Sequence, residues 1–286
     1  MDVDMSGVDL NSMRRYDDLR LMLADPDVDL VSVTTPTPTH AEIARLVIAS
    51  GRHLLVEKPV DLDRSVIEEL ADLSRRAGIL AMPAHCMRFW PAWRWMKMQL
   101  DDATFGRCLR ASFRRVGAAP SWNSDFYLDE SKSGGAAVDL HIHDTDFIVH
   151  CFGLPDSVSS RGTRRHIRSV YHYGDGPRVE AEGGWLEDSD VTFTMRATLE
   201  CEHATMTFEL GRDPEVWVTD RLGVETPRPE ASDGGTGYDV QILELIGSIG
   251  RGDERPPVSL DDAAQTARVL AAELLSLERG GEDRIP

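Results

Sequence analysis

The chain has 286 residues and a formal net charge of −18 at pH 7. This length allows two ordinary domains, each with a hydrophobic core of its own. Because so large a negative charge repels nucleic-acid phosphates and anionic lipid surfaces, we expect neither nucleic acid nor a membrane as a partner. A small-molecule substrate and further protein chains are the partners that this charge favours.

The four cysteines are scattered, and their spacing fits neither a zinc site nor a disulfide framework: Cys86, Cys108, Cys151 and Cys201. No apolar run in the sequence has the length of a membrane span. The first seven residues lack the basic and apolar parts of a signal peptide. We therefore expect a cytoplasmic protein with reduced thiols.

Strand and helix patterns alternate in the first third of the chain. Apolar, β-branched runs predict strands, and runs with a period of about 3.6 residues predict helices between them. This alternation requires parallel strands with crossover helices. We predict an α/β domain over residues 1–95 with an incomplete Rossmann-like parallel sheet. Its predicted elements are helix 16–24, strand 28–34, helix 40–50, strand 53–56, helix 65–77 and strand 79–82.

From residue 107 onward the pattern changes to short alternating segments separated by Gly, Asp and Pro. Such segments predict an open, largely antiparallel sheet, with strands at 107–116, 179–185, 191–200, 204–210 and 215–220. The basic run Arg164, Arg165, His166 and Arg168 is interpreted as a solvated loop, with an anchor for an anionic substrate as the alternative. With helices predicted at 239–249 and 260–277, residues 96–286 form an α+β domain for substrate binding and oligomerisation.

The stretch Gly134–Phe147 contains the most informative spacing in the chain. Asp139, His143 and Asp146 lie at i, i+4 and i+7, which predicts that they share one face of a helix. A carboxylate four residues from an imidazole can hold one tautomer, as proton abstraction from a hydroxyl requires. His141 falls on another face, so we expect no metal site and a mild effect of His141→Ala. The alternative, that Asp139 caps the helix and His143 is an ordinary polar residue, remains open.

Lys58 lies between Glu57 and Pro59 at the carboxyl end of a predicted strand, where α/β sheets present groups to ligands. Partial burial lowers the pKa of a lysine and allows it to exchange protons. The alternative is a surface lysine paired with Glu57. Trp122 and Tyr127, just before the glycines, are predicted to form a wall of the same site.

Four motifs occur together in this sequence: Thr-Pro-Thr-Pro-Thr-His at 35–40, Glu-Lys-Pro at 57–59, Arg-Phe at 88–89, and Gly-Gly at 134–135 followed by Asp-x-x-x-His-x-x-Asp at 139–146. Their order and rough spacing resemble the glucose-fructose oxidoreductase and inositol dehydrogenase family, Gfo/Idh/MocA. The resemblance covers nearly the whole chain. It implies a Rossmann domain, a second domain with an open mixed sheet, and hydride transfer between NAD(P) and a hydroxyl or carbonyl of a sugar, cyclitol or similar molecule.

The resemblance also implies roles for single residues. Lys58 corresponds to the family's catalytic lysine, Asp139 to its substrate-orienting acid and His143 to its general acid/base. The implied cofactor contacts are Thr35, Pro36, Thr37, His40, Glu57 and Arg88. The expected substrate contacts are Asp146 and, from their position just before the glycines, Trp122 and Tyr127.

The sequence departs from the family pattern in one respect. It contains no Gly-x-Gly-x-x-Gly turn between a strand and a helix, and no acid that follows such a unit to bind the ribose. For the chain as given we therefore expect NAD or NADP to bind no tighter than about millimolar. Three explanations remain open: a dehydrogenase fragment, a cofactor-independent lyase, epimerase or cyclase, and a non-catalytic binding subunit.

A missing first strand would leave one edge of the 28–34 strand without a partner. An uncovered strand edge and its apolar neighbours need shielding. We therefore expect a homo-oligomer, with the antiparallel sheet as a second candidate interface by resemblance to the family.

Overall fold

A computed structural model describes residue 9 and residues 12–187, 191–228 and 235–285. In these ranges the helices are α1 Leu19–Ala24, α2 His40–Ala49, α3 Arg64–Ala77, α4 Pro91–Asp101, α5 Ser124–Tyr127, α6 Glu130–Ser133, α7 Ala136–Asp139, α8 Ile142–Phe152, α9 Gly237–Arg251 and α10 Leu260–Arg279. The strands are β1 Leu30–Val33, β2 His53–Val56, β3 Ala81–Pro83, β4 Cys108–Ala118, β5 Ser157–Thr163, β6 His166–His172, β7 Arg178–Leu186, β8 Thr194–Cys201, β9 Ala204–Glu209, β10 Val216–Asp220, β11 Glu225–Pro227 and β12 Glu282–Arg284. None of these helices is long and apolar enough to cross a bilayer.

The first sheet is parallel, with strand order β1-β2-β3 within the described residues. Leu30 pairs with His53 and Leu54 with Ala81, which fixes the register. The strands are short and mostly buried because α2 and α3 cross over and cover them with apolar side chains. The parallel pairing and the crossover helices confirm the predicted Rossmann-like sheet.

One edge of the first sheet is unpaired in the described part of the chain, where β1 has only β2 as a hydrogen-bonded neighbour. This is the edge at which the missing first strand of a Rossmann sheet was expected to pair. That another chain shields this edge in a homo-oligomer stays a prediction.

The second sheet has the strand order β11-β10-β9-β8-β4-β7-β6-β5-β12 in the described residues. The β4–β7 pair is parallel and the other pairs are antiparallel. This confirms the predicted open, largely antiparallel sheet. The helices α5 to α8 are inserted between β4 and β5. The Gly134–Phe147 stretch runs from the β5–β6 turn, where Ala137 N bonds to Arg164 O at 2.8 Å, to the core of this sheet, where Phe147 is buried.

The basic run was wrongly interpreted as a loop throughout. Arg164 and Arg165 form the turn between β5 and β6, but His166 and Arg168 belong to β6. The reason is the alternation along that strand, which buries every second residue and leaves Arg168 exposed. The four basic residues suggested a loop and obscured the alternation of buried and exposed positions that is typical of a strand.

The long carboxyl-terminal helix α10 connects the two sheets. Its first turns, with Leu260 and Ala263, pack in the core of the first sheet, whereas Val269 and Ala272 pack in the core of the second. A capping box, in which Ser259 and Asp262 satisfy each other's backbone N–H groups, fixes its start. Both sheets are thereby held against one rigid element.

The continuous helix predicted for Asp139, His143 and Asp146 is wrong. The chain breaks between α7 and α8, where His141 N bonds to Ala136 O at 2.9 Å, one residue farther back than in an α-helix. The cause is His141, whose fully buried ring bonds to Glu273 of α10, with Nε2 and Oε1 3.0 Å apart. Asp146 consequently does not share a face with the other two residues.

Candidate active site

A cavity of about 520 Å³ lies where the carboxyl edge of the first sheet meets α7, α8 and the ends of β4 and β7. Its wall brings together the three residues predicted to be catalytic, Lys58, Asp139 and His143. A larger depression of about 760 Å³ lies on the open face of the second sheet. Its arginines lie beside glutamates, with 3.3 Å between Arg114 Nε and Glu182 Oε2. The smaller cavity is therefore the better candidate for acid–base chemistry.

Lys58 follows β2 and reaches across to the end of α7. Its Nζ donates hydrogen bonds to the side-chain Oδ1 of Asp139 at 3.0 Å and to the backbone oxygen of Asp139 at 2.7 Å. The side chains are 17% and 15% exposed, so the pair is largely shielded from water without being sealed. Lys58 thus pairs with Asp139, and the surface pair with Glu57 that was weighed from the sequence does not form.

His143, in the first turn of α8, lies on the same wall. Its Nδ1 is buried and has no hydrogen-bond partner among the described residues. Burial lowers the pKa of His143 well below its usual value, and the positive charges of Lys58 and Arg115 lower it further. The imidazole is therefore neutral near pH 7. Its expected bond to Asp139 is replaced by the bonds that Asp139 makes with Lys58.

Aromatic side chains form the remaining walls. The rings of Trp122 and Tyr127 meet edge to face with centroids 5.5 Å apart, and Tyr127 meets Trp185 in the same way at 5.8 Å. Phe193 and Tyr238 also line the cavity. The sequence drew attention to Trp122 and Tyr127 alone, because the other three rings come from strand ends and α9, which only the sheet register brings here.

Arg88 and Asp146 lie outside the cavity, in a buried ion pair. Arg88 donates to both carboxylate oxygens of Asp146, at 2.9 and 2.8 Å, and to Asp262 at 3.2 Å. Burial by itself raises the pKa of Asp146, but the charge and hydrogen bonds of Arg88 outweigh it, so the pKa is lowered. This geometry supports a structural role for the pair, connecting α8 and α10 to the end of the first sheet.

The loop after β1 is held by His40. Its Nδ1 lies 2.9 Å from Pro59 O and its Nε2 lies 2.6 Å from Thr35 O, so the ring bridges the loops that follow β1 and β2. Thr37 is buried beneath this loop, whereas Thr35 and Pro36 are exposed. Of these four predicted cofactor contacts, Thr35 and Pro36 are accessible to a ligand, whereas Thr37 and His40 are buried and His40 bridges the two loops.

His141 is the site-adjacent residue whose environment the sequence did not predict. It belongs to a buried polar cluster in which Tyr171 and Thr145 donate to Glu273 at 2.7 and 3.2 Å. Burial alone lowers the pKa of His141, but the Glu273 carboxylate outweighs burial and raises it. The cluster fixes the break that separates Asp139 from His143.

The described residues fit one end of a dinucleotide. Thr35, Pro36 and Glu57 present polar and small groups at the carboxyl edge of the first sheet beside Lys58, as a nicotinamide end requires. A pyrophosphate needs a glycine-rich turn that opens a helix. The helices that follow β1 and β2 in the described chain begin after Thr39 and Asp63 instead, so they offer no such turn.

A Rossmann-like sheet beside an open mixed sheet, with a cavity between them, defines the fold of a class of dinucleotide-dependent oxidoreductases. The fold matches levoglucosan dehydrogenase in complex with NADH and levoglucosan at a TM-score of 0.84 and 18% identity, over 95% of this chain and 83% of that one. It also matches the oxidoreductase domain protein from Kribbella flavida at a TM-score of 0.80 and 22% identity, over 94% and 83% of the chains. These similarities establish the fold.

The chain belongs to the Gfo/Idh/MocA family. Residues 7–85 match "Oxidoreductase family, NAD-binding Rossmann fold", and residues 93–216 match "GFO/IDH/MocA C-terminal domain". Trans-1,2-dihydrobenzene-1,2-diol dehydrogenase of Macaca fascicularis is 31% identical over 55% of this chain and 47% of its own length. Scyllo-inositol 2-dehydrogenase (NAD(+)) of Bacillus subtilis is 29% identical over 60% and 51%. The chain thus spans about half the length of the curated relatives that it matches.

Proposed function

We propose that this protein transfers a hydride between NAD(P) and a ring-bound hydroxyl or carbonyl of a sugar, cyclitol or similar small molecule. The observation behind the proposal is the convergence of Lys58, Asp139 and His143 in one aromatic-walled cavity at the carboxyl edge of the Rossmann-like sheet. Membership of an oxidoreductase family supports the redox reaction.

His143 acts as the acid–base group. Its neutral imidazole accepts the proton of the substrate hydroxyl during oxidation. The low pKa of His143 makes the protonated ring a strong acid, so it readily returns the proton to the alkoxide during carbonyl reduction. The nicotinamide, when bound, supplies the hydride acceptor or donor.

Lys58 stabilises the charge that develops on the substrate oxygen. Its ammonium group is held at a fixed point by the two hydrogen bonds to Asp139, so little reorganisation is needed as the alkoxide forms. Asp139 acts mainly by positioning Lys58, since its carboxylate already accepts a bond from it. The three residues therefore divide proton transfer, charge stabilisation and orientation between them.

The cavity favours an uncharged ring as substrate. Trp122, Tyr127 and Trp185 offer aromatic faces on which the apolar face of a cyclic polyol can stack. Lys58 is the one Lys or Arg among the described residues that line the cavity, and it is already paired with Asp139. A substrate with a phosphate or a carboxylate would therefore find no unpaired Lys or Arg among the described residues of the cavity to bind its charge.

The test is a panel of cyclic substrates with the cofactor in excess, at about ten millimolar because we expect millimolar affinity. Trans-dihydrobenzenediol, scyllo-inositol and levoglucosan are offered with NAD⁺ or NADP⁺, and the reduced nicotinamide is followed by absorbance. We expect at least one neutral ring to be oxidised, and its oxidation to be slower when the reacting carbon carries deuterium. Sugar phosphates should show little turnover.

Two results of this panel would overturn the proposal. One is proton exchange into the substrates from D₂O without cofactor and without any oxidation, which is the outcome expected of a lyase or epimerase. The other is binding of the neutral rings with neither exchange nor oxidation, which is the outcome expected of a binding subunit.

A further inference from the structure

Two cysteines face each other across neighbouring strands at the end of the second sheet farthest from the cavity. Cys108 is the first residue of β4, Cys201 is the last residue of β8, and the two are direct partners in the antiparallel register. The backbone hydrogen bond beside them runs from Glu202 N to Arg107 O at 3.0 Å. This bond joins the residues that flank the pair, so Cys108 and Cys201 form a non-hydrogen-bonded pair.

This type of pair brings the two Cα atoms to about 4.5 Å, the closest approach in an antiparallel sheet. A disulfide requires a Cα separation of roughly 4.4 to 6.8 Å. The register also shifts between Cys108 and Arg110, and such an irregularity lets the start of β4 adjust to a new bond. The backbone therefore meets the geometric requirement for a cross-link.

The two thiols lie on the same side of the sheet, partly buried against the core. The Cys108 thiol donates to the backbone oxygen of Arg110 at 3.3 Å. Its proximity to Cys201 lowers the pKa of Cys201 and outweighs the effect of burial. Burial instead raises the pKa of the remaining two thiols, that of Cys86 to about 11 and that of Cys151 as well. Cys201 is thus the thiol of this chain best suited to react, and Cys108 is the nearest thiol to it.

We propose that Cys108 and Cys201 are a site of reversible oxidation, at which a peroxide joins the two strands by a disulfide. The Cys201 thiolate attacks one peroxide oxygen, the O–O bond breaks, and the departing hydroxide takes up a proton to become water. The sulfur of Cys108 then attacks the sulfur of the Cys201 sulfenic acid, and the S–O bond breaks. The released hydroxide takes the Cys108 proton, so two thiols and one peroxide give one disulfide and two waters.

The cross-link lies far from the cavity and is independent of the proposed dehydrogenase reaction. β4 runs from Cys108 to Ala118, and Ala118 lines the cavity. At about 3.3 Å per residue this places the two ends of the strand roughly 30 Å apart. The disulfide would tie β4 to β8 without entering the site.

The test treats the whole protein with hydrogen peroxide, blocks the remaining thiols under denaturing conditions with iodoacetamide, and maps peptides by mass spectrometry. We expect a Cys108–Cys201 cross-linked peptide, a fall of roughly tenfold in alkylation of both residues, and reversal by dithiothreitol. Cys86 and Cys151 should remain alkylated as before. Sulfoxide at Met13, which is 54% exposed, shows that the peroxide acted.

Matched variants decide which thiols react. In Cys108→Ser the cross-link should disappear and dimedone should trap a sulfenic acid at Cys201, whereas Cys151→Ser should form the cross-link as the wild type does. A disulfide that contains Cys151, a cross-link between two chains, or full alkylation of Cys108 and Cys201 after Met13 has oxidised would each overturn the proposal. None of these measurements depends on enzymatic activity.

Discussion

Glu273 places a carboxylate in the interior of the protein, where it is 1% exposed. His141 lies 3.0 Å from its Oε1, and Tyr171 and Thr145 donate to its two oxygens at 2.7 and 3.2 Å. A buried carboxylate is tolerated only with such partners, because it has lost its hydration. The stability of the α7–α8 break therefore depends on the ring of His141.

We accordingly expect His141→Ala to be severe, contrary to the mild effect that the helical spacing predicted. The change leaves the Glu273 carboxylate without its principal partner and should lower the free energy of unfolding by about 3 kcal/mol. Urea denaturation measures this. The double variant His141→Ala with Glu273→Ala should cost less than the sum of the single variants, and strict additivity would show that the two residues do not interact.

Arg88 offers a second test at this scale. Arg88→Met leaves Asp146 buried without a cation and should cost about 3 kcal/mol of stability, and adding Asp146→Leu should restore a large part of it. Cofactor affinity, followed by nicotinamide fluorescence, should be unchanged because Arg88 lies outside the cavity. Unchanged stability with weaker cofactor binding would instead support the cofactor role implied by the family resemblance.

The grouping of Lys58, Asp139 and His143 around one cavity was the most predictable part of the site. Lys58, Asp139 and His143 stand in local motifs, so their types and spacing could be read directly from the chain. The partner of Asp146 could not be found in this way, since Arg88 is 58 residues away in sequence. Trp185 and Tyr238 were missed for the same reason.

Among the elements, the break between α7 and α8 depends on a glycine in β7. A Cβ atom at Gly183 would lie 2.5 Å from Nδ1 and 2.8 Å from Cβ of His141, too close for any side chain. Gly183→Ala should therefore displace His141, reduce stability, and disturb the spacing of Asp139 and His143. The melting temperature and the turnover rate of this variant should both be lower than those of the wild type.

Gly250→Ala provides the matched control for this prediction. Gly250 lies in α9, and an added Cβ would meet nothing within 4 Å. Since alanine favours a helix over glycine by up to about 1 kcal/mol, this variant should melt at or slightly above the wild-type temperature. A Gly183→Ala protein that behaves like Gly250→Ala would show that His141 is not confined against β7.

The elements of the first sheet were predictable because each is set by its own residues: the predicted strand 53–56 matches β2 to the residue. The β5–β6 hairpin and the α7–α8 break were not predicted. Both depend on burial, and the partner that breaks the helix at His141 is 132 residues away. The spacing of residues within one segment cannot predict a contact with a residue so distant in sequence.

For the whole molecule, the buried histidines predict the response to acid. Burial is the largest cause that lowers the pKa values of His85, His143 and His150, that of His150 to about 4. Below about pH 6.5 the unfolded chain binds protons that the folded chain does not, so stability falls between pH 6.5 and about 4. His141 opposes this trend, because its raised pKa gives a contribution that is present below about pH 6.5 and lost as pH rises through the folded value.

Urea midpoints at pH 7.5, 6.5 and 5.5 test this balance. We expect the midpoint to decrease steadily from pH 6.5 to 5.5, since four lowered values, those of His85, His143, His150 and the partly buried His53, outweigh one raised value. His150→Gln should flatten the decrease by removing one of the four. A midpoint that is constant or rises as the pH falls would contradict the assignment of neutral buried imidazoles.

The most direct test of the proposed function is the turnover of His143→Gln and Lys58→Met with the best neutral ring found in the panel, at saturating cofactor. Each should lose at least about a hundredfold in kcat while the protein remains folded at the assay temperature, and the double variant should lose little more than either single one. The matched controls, His172→Gln and Lys97→Met, lie outside the cavity and should retain wild-type turnover. A His143→Gln protein that keeps kcat within about threefold of the wild type would contradict the assignment of His143 as the acid–base group.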